Sequence, residues 1–178
     1  MINENLLVAC KKTLRDAQRE VYEIMAPKLY HTCKRYLKKE EEIEEVLGDA
    51  FYTIFTKMNQ LKELGAFEAW ARKITVNECL HQLKRKVNFN IYIEDTSVQL
   101  QPETLPDTKL EEEDLLNLLH FIPTGCKTIF NLFVIEGYSH KEIASMLKIS
   151  EGTSKSQLNV AKTKLKELVN NHYYQQVH

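Results

Sequence analysis

The stretch Ser139-His-Lys-Glu-Ile-Ala-Ser-Met-Leu-Lys-Ile-Ser150-Glu-Gly-Thr-Ser-Lys-Ser156 decides how this 178-residue chain is read. Ser139 and Glu142 have the spacing of a capping box, a hydroxyl at the cap and a carboxylate three residues on. Ile143, Ala144 and Leu147 then form the buried side of a short helix. Ile149 plugs a tight turn, and Ser150 caps a second helix that buries Leu158, Ala161, Leu165 and Leu168. The rest of that helix is polar. Lys155, Asn159, Lys162 and Lys166 line up, with Ser156 and Thr163 beside them and Gln157 across. A short helix, a turn and a longer helix carrying amides and ammonium groups suit the major groove of duplex DNA, where amides meet base edges and lysines meet phosphates. Residues 141–166 hold six lysines against Glu142 and Glu151, a local charge of +4. The pattern also fits an antiparallel helix pair with a solvated lysine face. The capping box, the plugged turn and the one-sided basic stripe together favour the groove.

Just before this motif, Leu115, Leu116, Leu118 and Leu119 precede Pro123, and Cys126, Ile129, Phe130 and Phe133 continue a helix that Gly137 closes. Residues 88–110 lose the helical pattern and read as a linker, with Pro102 and Pro106. From Glu94 to Asp114, eight acids face the single base Lys109, a local charge of −7.

The N-terminal half is helical as well. One helix is expected from about Asn5 to Tyr22, with Leu6, Cys10, Leu14, Ala17 and Val21 on one side. A second is expected to start at Pro27 and run through Leu29, Cys33 and Leu37. In a third, Ile43, Val46, Leu47, Ala50, Phe51, Ile54, Phe55 and Met58 make an apolar face opposite Glu45, Asp49, Tyr52 and Thr56. After a connection near Leu61–Gly65, a fourth spans about Ala66 to Val87. It carries Phe67, Trp70, Ala71 and Ile74 on one side and Val76, Leu80, Leu83 and Val87 nearly opposite. Between them runs a polar stripe of Lys73, Asn77 and Lys84, with His81 and Arg85 nearby.

Composition bounds the reading. Five Gly and four Pro among abundant Leu, Lys and Glu favour an all-α fold. The net charge of −1 is low for a free-standing DNA-binding domain, whose affinity rests on phosphate contacts. A weak binder, or one whose grip depends on a partner, is expected. Cys10, Cys33, Cys79 and Cys126 form no CxxC pair and fit reduced thiols. Cys79 and His81, two apart on a helix, point to different faces, which argues against a metal site. No nucleophile–base set stands out, so neither enzymatic activity nor a cofactor is expected. With no N-terminal signal and no apolar run of membrane-spanning length, a cytoplasmic protein is expected.

Several blocks together carry a resemblance. They are Ile122-Pro-Thr-Gly-Cys-Lys-Thr-Ile-Phe-Asn-Leu-Phe133, Glu136-Gly-Tyr-Ser-His-Lys-Glu-Ile-Ala144 and Ile149-Ser-Glu-Gly-Thr-Ser-Lys-Ser156 in the second half. The first half adds Leu29-Tyr30, Arg35-Tyr36, Glu44-Glu-Val46 with Asp49-Ala-Phe51, and Phe67-Glu-Ala-Trp70 through Ile74, Asn77, Leu80 and Leu83-Lys-Arg85. In this order they resemble the extracytoplasmic-function (ECF) sigma factors, small specificity subunits of bacterial RNA polymerase, over nearly the whole chain.

The resemblance implies two small helical domains, a sigma region 2 bundle over residues 5–88 and a sigma region 4 helix-turn-helix domain over 111–172, joined by an acidic linker over 89–110. It implies that core RNA polymerase, through its largest-subunit clamp and its flap, and promoter DNA are partners. An anti-sigma factor, commonly a membrane protein, is implied as a third. Glu45, Val46, Asp49 and Tyr52 would face the clamp. Lys73, Asn77, Lys84 and Arg85 would engage the start-proximal promoter element, and the Met58–Gly65 loop would hold a base flipped from the stack. Glu151, Lys155, Ser156, Gln157, Asn159 and Lys162 would read the upstream element. The acidic linker would thread the polymerase's RNA channel; a solvated tether is the plainer account. Phe67 and Trp70 fit core burial better than base stacking.

The chain departs from the family pattern at Gly48, where Gln is usual, at Lys148, where Gly is usual, and at Ser154, where Val is usual; the Ser154 hydroxyl is expected to bond back to Ser150. Gln157 and Asn159 stand where Arg is frequent. Two rival readings are a helix-turn-helix regulator without melting activity and an adaptor acting through protein contacts alone.

Overall fold

A computed structural model describes residues 2–85 and 118–175. The linker, Val87, Leu115 and Leu116 lie outside the described residues. The chain divides into two units, Met1–Lys86 and Val87–His178. Both are built of helices, and no strand occurs among the described residues.

The N-terminal unit holds α1 (Glu4–Lys11), α2 (Arg15–Lys34), α3 (Glu40–Thr56) and α4 (Phe67–Arg85). Two 3-10 turns, Met58–Gln60 and Leu64–Ala66, join α3 to α4. Where one helix was expected over 5–22, there are two. Asn3 caps α1 by accepting from the Leu6 amide at 2.9 Å. Thr13 then takes a left-handed conformation (φ 58°), which ends the helix just after two lysines favourable to its C-terminus. Leu14, expected on the buried side, is consequently exposed in the break.

Pro27 was expected to open a helix but lies inside α2. An interior proline costs about 3 kcal/mol. Ala17, Val21, Met25, Leu29 and Cys33, all buried at steps of four, keep one continuous seam across it. Burying a Val, Met or Leu is worth about 1.5–3 kcal/mol each, so the seam outweighs the break.

The core of this unit joins Leu6, Leu7 and Cys10 of α1 to Val21, Met25 and Leu29 of α2, Phe51 and Ile54 of α3, Met58 and Leu61 of the connection, and Phe67 and Ala71 of α4. The two apolar sides read in the fourth helix are both used: Phe67 and Ala71 are buried on one, Val76, Leu80 and Leu83 on the other. Phe67 is buried and Trp70 half-buried, their rings 6.2 Å apart, as core burial requires.

The C-terminal unit holds α5 (Thr124–Phe130), one following π turn (Asn131–Ile135), α6 (His140–Leu147) and α7 (Glu151–Gln175). Gly137 (φ 77°) follows the π turn in the left-handed conformation that closes a helix. α7 packs on both α5 and α6. Cys126 and Ala161 are buried between α5 and α7, with Leu119 and Ile122 against them.

Candidate nucleic-acid interface

The helix-turn-helix forms as its residues dictate. The Ser139 amide donates to Glu142 Oε2 at 2.8 Å, and the Glu142 amide donates to Ser139 Oγ at 3.3 Å, a complete capping box. Lys148 supplies the left-handed turn (φ 58°, ψ 46°). Ser150 Oγ then accepts from the Thr153 amide at 2.9 Å, starting α7.

Along α7, Glu151, Lys155, Ser156, Asn159, Lys162 and Lys166 are all exposed. The Ser156 hydroxyl donates to the Thr153 carbonyl at 3.0 Å, which leaves its oxygen as an acceptor towards a ligand.

Gln157 is a correction. It was expected on the DNA side but is 2% exposed, with Oε1 accepting from the Cys126 thiol at 2.6 Å. It sits one position before Leu158 and four before Ala161, within the helix's inward arc, so it locks α7 to α5. Burial pushes the Cys126 thiol above its usual range, against the opposing pull of Lys164, and keeps it a donor.

Ser154 is a second correction. Its buried hydroxyl lies 2.9 Å from His140 Nδ1, not on Ser150. The His140 ring stacks on Phe133, centroids 4.4 Å apart. Phe133, His140 and Ser154 thus set the approach of α6 to α7, a role that no spacing rule signals.

In the N-terminal unit, α4 carries Lys73 and Lys84 exposed and Asn77 half-exposed along one stripe. Arg85 is exposed but engaged: its Nη1 donates to Glu45 Oε1 on α3 at 3.1 Å, and Gln82 Nε2 donates to Glu45 Oε2 at 3.1 Å. The pairing brings together one residue expected to face the clamp and one expected to face DNA. Of the clamp-facing set, Glu45, Asp49 and Tyr52 are exposed, Tyr52 at 73%. Val46 is not; at 2% exposure it belongs to the core with Ile43 and Ala50, because the outward arc of α3 runs 45, 49, 52. Cys79 is buried and His81 exposed, so they do face apart.

Between α2 and α4 lies a cleft of about 320 Å³ lined by Lys28, Thr32 and Arg35 of the α2 side and Glu68 and Arg72 of α4. Glu68 already holds Lys28, at 2.8 and 2.9 Å. Arg72, exposed one turn before Val76, was not singled out from sequence, although it adjoins Lys73.

Comparison with known proteins assigns both units. Residues 21–88 match the family model for sigma-70 region 2, and residues 112–165 match that for sigma-70 region 4. The ECF RNA polymerase sigma factor SigE of Mycolicibacterium smegmatis is 23% identical over 153 residues, covering 83% of this chain and 59% of that protein. The ECF RNA polymerase sigma factor SigW of Bacillus subtilis is 22% identical over 170 residues, covering 88% and 91%. Among solved structures, the sigma factor RpoE of Bartonella quintana, in complex with the anti-sigma factor NepR, aligns with a TM-score of 0.53 at 19% identity, over 88% of this chain and 98% of that one. The chain belongs to the sigma-70 family, as an RNA polymerase sigma factor of the ECF group.

Proposed function

We propose that the chain binds core RNA polymerase, recognises two promoter elements and opens the start-proximal one, without covalent chemistry of its own and in the cytoplasm. No helix of the described residues is long and apolar enough to cross a membrane. The observation that carries this reading is the presence of a region 4 helix-turn-helix with an exposed lysine and amide face alongside a region 2 bundle with its own polar stripe on α4. The domains are taken as 5–88 and 111–172, joined by the acidic segment 89–110. On α3, Glu45, Asp49 and Tyr52 form the surface for the polymerase clamp, and the flap is the second polymerase contact. On α4, Lys73, Lys84 and Arg85 meet phosphate and Asn77 meets a base, while the Met58–Gly65 loop holds an unstacked one. On α7, Glu151, Lys155, Ser156, Asn159 and Lys162 face the upstream element.

An anti-sigma factor is the further partner, supported by the solved complex of the Bartonella relative. Lysines and amides without arginine give α7 no bidentate guanine reader of the arginine kind. Its specificity therefore depends on being held beside a second DNA-reading domain, where linkage raises the effective concentration.

Permanganate footprinting of unpaired thymines, with purified chain, core polymerase and a pool of genomic promoters, tests the whole. Melting that needs both proteins supports the proposal. Duplex footprints by the chain alone, with no melting on any promoter, would leave a helix-turn-helix regulator instead. Asn77→Ala should lower open-complex formation while core binding stays intact.

A further inference from the structure

The loop assigned above to base capture is held by a part of the chain that the region 2 match does not reach, since that match begins at residue 21. α1 lies before it. Lys11, at the C-terminal end of α1, donates from Nζ to the Leu61 carbonyl at 2.8 Å across fifty residues of sequence. Leu61 is the extended residue that follows the first 3-10 turn (φ −69°, ψ 108°). Its side chain is buried with Met58 and Phe67 against Leu6, Leu7 and Cys10. The other end of α1 walls a cavity of about 470 Å³, with Ile2, Asn3 and Leu7 on one side and Leu64, Gly65 and Phe67 on the other. The loop is thus tied to α1 at one end by a half-buried, charge-assisted hydrogen bond and faces it across an open cavity at the other.

We propose that Lys11 is a positioning residue for promoter opening. By fixing the Leu61 carbonyl it sets where the Leu64–Ala66 turn rests on α1, so that the cavity they share is formed before an unstacked base arrives. A loop ordered in advance spares the opening step the entropy of ordering it then. This inference rests on the reading that the loop captures a base.

The test uses the full chain with core polymerase and a promoter that melts in the footprinting assay. Lys11→Met keeps the apolar stem and removes the donor. It should bind core polymerase like the parent chain and open the promoter about tenfold more slowly, the loss associated with one charged hydrogen bond. Amide exchange should accelerate in residues 57–66 and stay unchanged in α2 and α3. Lys11→Arg, which keeps a cationic donor, should recover most of the rate. Opening at the parent rate would overturn the assignment, as would exchange that rises equally through α2 and α3, which would make Lys11 a general fold residue. Gly65→Trp, which places an indole at the cavity's lining, separates the two levels. If it melts promoters normally, the base-capture reading fails; if it blocks melting while Lys11→Met does not, only the role of Lys11 fails.

Discussion

Arg85 Nη1 meets Glu45 Oε1 at 3.1 Å, so the end of α4 is tied to the outward face of α3. Both side chains stay more than half exposed, at 63% and 51%, so the pair is worth no more than about 1 kcal/mol. Either residue can therefore leave the other for polymerase or DNA at little cost. A double-mutant cycle of Glu45→Gln and Arg85→Gln, followed by urea unfolding, should give a coupling below about 1 kcal/mol that shrinks further at high salt. A salt-insensitive coupling of several kcal/mol would make the pair a fixed strut and remove both residues from the interfaces proposed for them.

Two backbone positions carry residues opposite to what their conformations favour. Gly48 lies exposed within α3, and a Cβ built there meets nothing within 4 Å. Gly48→Ala should stabilise the chain by about 1 kcal/mol through helix propensity. Lys148 is left-handed at φ 58°. Lys148→Gly should stabilise by about 0.5–1 kcal/mol, somewhat less than the left-handed penalty because glycine also loosens the unfolded chain. Urea midpoints that rise at unchanged slope would bear out both.

Gln157 and Asn159 are two residues apart and should fail differently. Gln157→Ala deprives the buried Cys126 thiol of its acceptor and should cost about 1–3 kcal/mol of stability, with little change in promoter affinity once the folded fraction is matched. Asn159→Ala removes an exposed amide and should leave stability within about 0.5 kcal/mol. Upstream-element binding by the polymerase complex should then weaken roughly tenfold. Denaturation and footprint titration on the same two variants decide it, and the reverse pattern would return Gln157 to the DNA side.

Burial, with Glu20 adding to it, pushes the Cys10 thiol from about 9 up to about 11. In the unfolded chain the thiol ionises first, so this contribution is fully present below about pH 9 and is lost as pH rises towards 11. Cys10→Ser should flatten that part of the alkaline stability curve. At pH 8 the native Cys10 should resist thiol reagents that label it rapidly in urea. Fast native labelling would mean that α1 detaches from the core.

Where a single helix's own pattern was enough, sequence and structure agree closely. The capping box at Ser139 and Glu142, the cap at Ser150, the closing Gly137 and the two-sided α4 depend on neighbours three or four residues apart. Pro27 shows the limit. Its local preference to begin a helix was overridden by Met25 and Leu29, which needed the same seam on either side of it. Val46 shows another: it is buried on the apolar face that periodicity gives it, so the clamp-facing role implied by the resemblance does not hold for it.

The sequence by itself determined the all-α character, the helix-turn-helix and the exposed stripes of α3, α4 and α7, because periodicity and capping are properties of short stretches. Only the tertiary structure decided that Gln157 faces Cys126, that His140 meets Ser154, that Glu45 holds Arg85 and that Lys11 reaches Leu61. Each of those contacts joins separate elements, from 14 to 50 residues apart. The helix-turn-helix keeps its outward lysines and amides but loses Gln157 to the core, because packing α7 against α5 turns that side of the helix inward.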